Sequence, residues 1–199
     1  MFNLEFLHTG DVLLFEDTSG YWFSTLVKWF TGSVYSHAAV VLSNPTYIDK
    51  TLNYPCMLES GFESFPDVEN GQTKGGVQIV DLAEKIQTYE GHVWVRRLHT
   101  KVHQIDIDRE VAELHSTFHN KPYDWNPADL LKTVLQIKDS QDQRTNSFFC
   151  SALVAYLYTK LGFLSKDELW DLDTPKLLAS SDFNKRLVNA ELGEMEVVK

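Results

Sequence analysis

Residues 148–161 read Phe-Phe-Cys-Ser-Ala-Leu-Val-Ala-Tyr-Leu-Tyr-Thr-Lys-Leu, and Gly162 follows. A nearly unbroken apolar stretch with a glycine stop predicts a strongly apolar helix. Its apolar part, Phe148 to Tyr158, is too short to span a bilayer. What it packs on is set by the sequence before it. Asp11–Phe15 (DVLLF), Ser36–Leu42 (SHAAVVL), Cys56–Ser60 (CMLES), Val77–Leu82 (VQIVDL) and His92–Leu98 (HVWVRRL) are short apolar runs that predict strands. From Ile105 the period changes. Asp108–His119 predicts a helix closed by Lys121-Pro122, and Pro127–Ile137 a second, opened by Asn126 and Pro127. Tyr21–Phe30 (YWFSTLVKWF) predicts a short helix stopped near Gly32, and the tail from Leu164 predicts short helical pieces with an acidic end. A meander of about five antiparallel strands followed by helices is an α+β fold, not a parallel βαβ array. No repeat, low-complexity tract or linker divides the chain. A single domain over 1–199 is expected, with a core over about 8–180 and a C-terminal extension over 181–199.

The 199 residues are 43% hydrophobic and 23% charged, enough for one well-buried core. Lys and Arg number 18 against 28 Asp and Glu, a formal charge of −10. Such a surface repels phosphate backbones and anionic headgroups, so nucleic acid is not the expected partner. No Lys or Arg precedes Lys28, which argues against a secretory signal or transit peptide. Two cysteines, Cys56 and Cys150, make no disulfide framework. The expectation is a cytoplasmic or other reducing compartment and no transmembrane segment.

Cys150 falls in the first turn predicted for the apolar helix, after Asn146-Ser147, a natural N-cap. Unpaired N–H groups and the helix dipole there favour a thiolate; without a base, the same cysteine is a small core residue. His37 opens an otherwise apolar strand, where an imidazole needs partners for both nitrogens. His92 opens a strand too and is its rival. Glu59 lies in Met57-Leu58-Glu59-Ser60, an apolar strand where a carboxylate is out of place. If the two strands are neighbours, it reaches the far nitrogen of His37 and orients the ring. Glu63 and Asp49 are rivals in loop-like sequence. Alternation puts Met57 and Glu59 on one face and Cys56 and Leu58 on the other, so Cys56 is the expected inert thiol. His115 and His119 are four apart on one helix face, and His99 with His103 repeats that spacing. No HExxH motif accompanies either pair, so solvated surface histidines are expected, with no metal and no cofactor.

Thr9-Gly10-Asp11-Val12-Leu13, Ser36-His37-Ala38-Ala39-Val40-Val41, Leu58-Glu59, Lys121-Pro122-Tyr123-Asp124 and Phe149-Cys150-Ser151-Ala152-Leu153-Val154 occur in that order. Together they resemble the circularly permuted branch of the NlpC superfamily of papain-like cysteine peptidases and amidases. That branch includes YiiX-like and YaeF-like bacterial proteins, a poxvirus group and, more distantly, lecithin:retinol acyltransferase. The resemblance spans about residues 8–180, and Asp173-Thr174-Pro175 with Leu177-Leu178-Ala179 matches a stretch that follows the cysteine helix. It implies a papain-like fold with Cys150 as nucleophile, His37 as base and Glu59 as orienting residue, the third position being the one that varies in the family. The Cys150 N–H would hold an oxyanion, and Tyr35, Ser36 and Tyr123 are candidates for a second donor or for substrate contact.

The reading is thus a cysteine hydrolase, a peptidase or amidase working through a thioester, with a peptide, amide or acyl substrate. Two alternatives stand beside it. The aromatic stretch Tyr21, Trp22, Phe23, Trp29 and Phe30 next to the base suits a lipid-directed acyltransferase or deacylase, although packing on the sheet explains it as well. The other is a non-catalytic module in a larger assembly that orders both termini, in a virion if the protein is viral.

Overall fold

A computed structural model of the chain describes residues 2–20, 25, 28–29, 32–61, 65–122 and 149–199. Six strands, β1 (Val12–Asp17), β2 (His37–Leu42), β3 (Cys56–Gly61), β4 (Gly76–Asp81), β5 (Gly91–Thr100) and β6 (Ala190–Val197), form one antiparallel sheet. Their order is β4-β3-β2-β1-β5-β6. Five helices of the described residues accompany it: α1 (Leu82–Thr88), α2 (Gln104–Phe118), α3 (Cys150–Lys160), α4 (Pro175–Ala179) and α5 (Ser181–Asn184).

The central strands are apolar at nearly every position because both faces of the sheet are covered. Val12, Leu14, Ala38, Val40, Cys56 and Leu58 face α3 and join its core. Leu13, Phe15, Ala39, Val41 and Met57 face the other way, where Leu7 and Leu82 cover them and Phe65, Ile86 and Tyr89 pack alongside. Every residue of α3 from Cys150 to Thr159 is buried. Burying side chains of this size contributes roughly 1.5–3 kcal/mol apiece, which explains why α3 carries no polar face. The Tyr158 hydroxyl donates to the carbonyl of Gly10 at 2.6 Å. Gly10 (φ 103°) makes the turn that lets Asp11 accept from the N–H groups of His8 and Leu98. The helix ends as its sequence dictates, with Gly162 in the left-handed region just beyond it.

Four expectations are revised. The sheet has six strands and is not a simple meander, for β5 lies beside β1 and not beside β4. The outer edge of β4 is occupied by residues 120–121, with Val77 N–H donating to Lys121 O at 2.7 Å. The tail is helical only as far as α5. Residues 190–197 then add the outer strand β6, whose inward Leu192 is buried. Leu82 does not end β4 but opens α1, because the Asp81 carboxylate accepts from Glu84 N–H at 3.0 Å and caps the helix. The histidines His115 and His119 are not solvated. His115 Nε2 lies 2.8 Å from Glu69 Oε2, and His119 Nε2 lies 2.9 Å from both Asp67 Oδ2 and Glu69 Oε2. The loop between β3 and β4 is thereby tied to the end of α2. The helices expected over 127–137 and 21–30 lie outside the described residues, apart from residues 25, 28 and 29, which are helical.

Gly76 begins β4 at φ 136°, and a Cβ there would collide with the Lys121 carbonyl oxygen. Gly76→Ala therefore combines backbone strain with loss of the β4 edge contact and should cost about 2 kcal/mol or more in urea unfolding. Gly71, at φ 69° with nothing near its missing side chain, bears only the strain and should lose less when changed to Ala. Equal losses in the two variants would contradict the account of the edge.

Candidate active site

His37 is the first residue of β2, and β2 pairs with β3 in a register that sets Ala39 opposite Glu59. Alternation turns His37 and Glu59 to the same face, one diagonal step apart, and His37 Nε2 lies 2.7 Å from Glu59 Oε2. The imidazole packs against the Phe15 ring, with centroids 5.3 Å apart. Glu59 is only 1% exposed, and an isolated carboxylate at that depth would not stay ionised. Three neighbours keep it so. Besides His37, Gln78 sits opposite on β4 and donates its Nε2 to Oε1 at 2.9 Å, and Lys85 Nζ from α1 lies 3.3 and 3.4 Å from the two oxygens. Burial pushes the Glu59 pKa up, but Lys85, His37 and Gln78 together outweigh it and hold the group well below the ordinary carboxylate range. Gly61, two residues along β3, leaves room for the carboxylate, since a Cβ there would lie 3.3 Å from Glu59 Cδ.

Cys150 arrives from the other side of the sheet. It is the first residue of α3, which lies on the face of Ala38 and Val40, and its thiol meets His37 where β2 begins. The residue at the helix cap is Phe149, which has no side chain to bond the first-turn N–H groups. The expected cap residues Asn146 and Ser147 lie outside the described residues. The backbone N–H groups of Ser151, in that turn, and of Ala38 favour the charged form of the sulfur. Burial pushes the Cys150 thiol up, but hydrogen bonding to His37, the charge of the ring and these two N–H groups bring it below its ordinary value. Burial disfavours charge on His37, yet its bonds to Cys150 and Glu59 raise the imidazole to about 9. The three residues form one continuous chain, sulfur to ring to carboxylate. The arrangement can hold a thiolate–imidazolium pair near neutral pH.

Cys56 faces the α3 side, and burial followed by the nearby charge of Asp81 pushes its thiol up to about 12. His92 is exposed opposite Glu16, and Asp49 is exposed with its carboxylate on Thr51. Neither approaches the cysteine, and Glu63 lies outside the described residues. Ser36 donates its hydroxyl to Phe15 O at 3.4 Å and also bonds Tyr89, so that oxygen is engaged. Tyr35 is half-buried against the core on the α3 face of the sheet, and Tyr123 lies outside the described residues. Gln78 and Lys85 were missed in the sequence. The signal for Gln78 was an amide inside Val-Gln-Ile-Val, a polar residue as anomalous as Glu59. Lys85 carried no signal, being an ordinary helix lysine until the fold buries it. The Asp173-Thr174-Pro175 stretch supports α3 from behind: Ser151 Oγ donates to Asp173 O at 2.6 Å, and Thr174 caps α4.

No protein-family model matches the sequence, and no curated protein matches it. Among solved structures the chain is similar to metalloprotein YiiX from Escherichia coli O157:H7, with a TM-score of 0.51 over 97% of each chain and 19% identity. That likeness shows the fold, a YiiX-like α+β arrangement.

Lys85→Met removes the cation from a buried pair and leaves Glu59 under-compensated, which typically costs roughly 3–5 kcal/mol. Glu59, with its pKa lowered on folding, contributes stability above the ordinary carboxylate pKa and loses it as pH falls through the depressed folded value. The deficit of Lys85→Met in chemical unfolding should therefore be largest near neutral pH and shrink in acid. A deficit independent of pH would show that Lys85 acts through packing alone.

Proposed function

We propose that the protein is a cysteine hydrolase, a peptidase or amidase of the circularly permuted NlpC kind, with Cys150 as nucleophile, His37 as base and Glu59 as the residue that orients and charges the ring. The observation that carries this reading is the contact of a helix-first cysteine with an imidazole whose other nitrogen is fixed at 2.7 Å by a buried carboxylate. Support comes also from the order of the motifs and from the likeness in fold to YiiX.

In this mechanism His37 takes the thiol proton through the ring nitrogen that Glu59 leaves free. The thiolate attacks the carbonyl carbon of the substrate, and the oxyanion that forms accepts from the Cys150 N–H. A donor of this type is worth about 10²–10³ in rate. The imidazolium then protonates the leaving amine as its bond to carbon breaks, giving a thioester. Water, deprotonated by His37, displaces the sulfur, and the acid departs while Cys150 recovers its proton. Glu59 keeps the ring in one tautomer and offsets its charge throughout.

A second reading, thiol-dependent acyl transfer or deacylation on lipids, is favoured by the exposure of Trp29 (75%) and Val34 (53%) just before the base. Neutral liposomes discriminate, because retention by vesicles that is lost in Trp29→Ser would favour the acyl substrate.

Alkylation of Cys150 by iodoacetamide should titrate below an ordinary thiol near pH 8.5, and His37→Ala should move it upward. With an acyl-electrophile probe, Cys150→Ala should abolish labelling. For turnover, kcat/KM should rise as the thiolate forms and fall as pH passes about 9, where His37 loses the proton that the leaving group needs. Glu59→Gln should move that alkaline limb to lower pH. Alkylation that titrates as an ordinary thiol and ignores His37→Ala rules the mechanism out.

A further inference from the structure

Among the described residues outside the Cys150 site, coordinating groups converge in the cluster that ties the β3–β4 loop to α2. His115 lies in the last turn of α2 and His119 four residues on, so both rings leave the same side of the helix end. They stack with centroids 4.6 Å apart at an interplanar angle of 25°. Both Nε2 atoms converge on a single oxygen, Glu69 Oε2, at 2.8 and 2.9 Å. We infer that Glu69, His115 and His119 form a binding site for a divalent transition-metal ion of the zinc type.

The geometry supports this in three ways. The three donor atoms lie within 4.8 Å of one another. A tetrahedral zinc with ligand bonds near 2.0–2.2 Å sets its donors roughly 3.3 Å apart, so each contact need open by only a few tenths of an ångström. Glu69 is presented by a loop with its own fixed backbone: Val68 N–H donates to Ile79 O at 2.9 Å, Asp67 N–H to Gln72 O at 2.9 Å, and Glu69 N–H to Asp67 Oδ1 at 3.0 Å. Asp67 is fully buried, its charge offset by Lys74 Nζ at 2.6 Å, and its Oδ2 beside His119 is in reach of a metal-bound water.

Two imidazoles and a carboxylate select zinc-like ions over magnesium or calcium, which take oxygen ligands. The donors come from two segments separated by more than forty residues of sequence, so the ion cross-links the β3–β4 loop to the helix end. From that end the chain runs on to Lys121, which pairs with Val77 at the edge of β4.

The test uses the full-length Cys150→Ser chain, which removes the reactive thiol as a competing ligand. After chelator treatment it is titrated with Zn²⁺ by calorimetry, and bound metal is counted by mass spectrometry. One ion per chain is expected, with a cobalt spectrum free of a sulfur-to-metal band and with shifts of the His115 and His119 ring resonances on adding Zn²⁺. His115→Gln and Glu69→Gln should each weaken binding by about tenfold or more, whereas His99→Gln should leave it unchanged. Binding well below one ion per chain, ring resonances unmoved by Zn²⁺, or an affinity of His115→Gln and Glu69→Gln unchanged from that of the Cys150→Ser parent overturns the assignment. The resonance measurement on the Cys150→Ser chain decides the matter even if a ligand variant fails to fold.

Discussion

Keeping Glu59 ionised inside the sheet is the requirement around which the rest of the architecture is arranged. A carboxylate in apolar surroundings takes up a proton unless charge and hydrogen bonds are brought to it. β2 brings His37, β4 brings Gln78, and α1, crossing the second face, brings Lys85. Each comes from a different element, so the carboxylate is satisfied only when all three are docked. β3 accommodates the group because Gly61 provides the space. The strand register then matters as much as the residue, since a slip by one position would turn Glu59 into the α3 core.

The same carboxylate sets the electrostatics of His37. With Nε2 fixed on Glu59, the ring has one nitrogen to offer Cys150 and a reason to remain charged. The sulfur meets the ring at the first residue of β2. α3 covers one face, while the side chains of His37 and Glu59 occupy the other. The first N–H groups of α3, which no side chain caps, complete the surroundings of the sulfur.

The edges of the sheet are handled in two ways. β4 is closed by the chain leaving α2, where residues 120–121 pair with Val77. The imidazole–carboxylate cluster of Asp67, Glu69, His115 and His119 anchors that crossing. β6 closes the other side and carries Glu191, Glu194 and Glu196, whose charge discourages pairing with a further strand.

Much of this was legible before any coordinates. Continuous apolar runs marked the strands, the strongly apolar stretch over 148–161 marked the helix that became α3, and an imidazole and a carboxylate inside apolar strands stood out because burial makes them costly. Those are local signals, carried by each residue against its neighbours. The sixth strand was not legible, because Ala190–Val197 alternates charged and apolar residues as an edge strand does and as an exposed tail does too. Nor was the burial of Lys85, or the convergence of His115 and His119 on Glu69, since a surface histidine and a paired one have the same sequence. The α+β composition and the identity of the anomalous polar residues are written in the order of amino acids. Tertiary structure alone decided which of them touch, because contact between a helix end on one face and a strand start on the other depends on chain path and register, and no local periodicity encodes either.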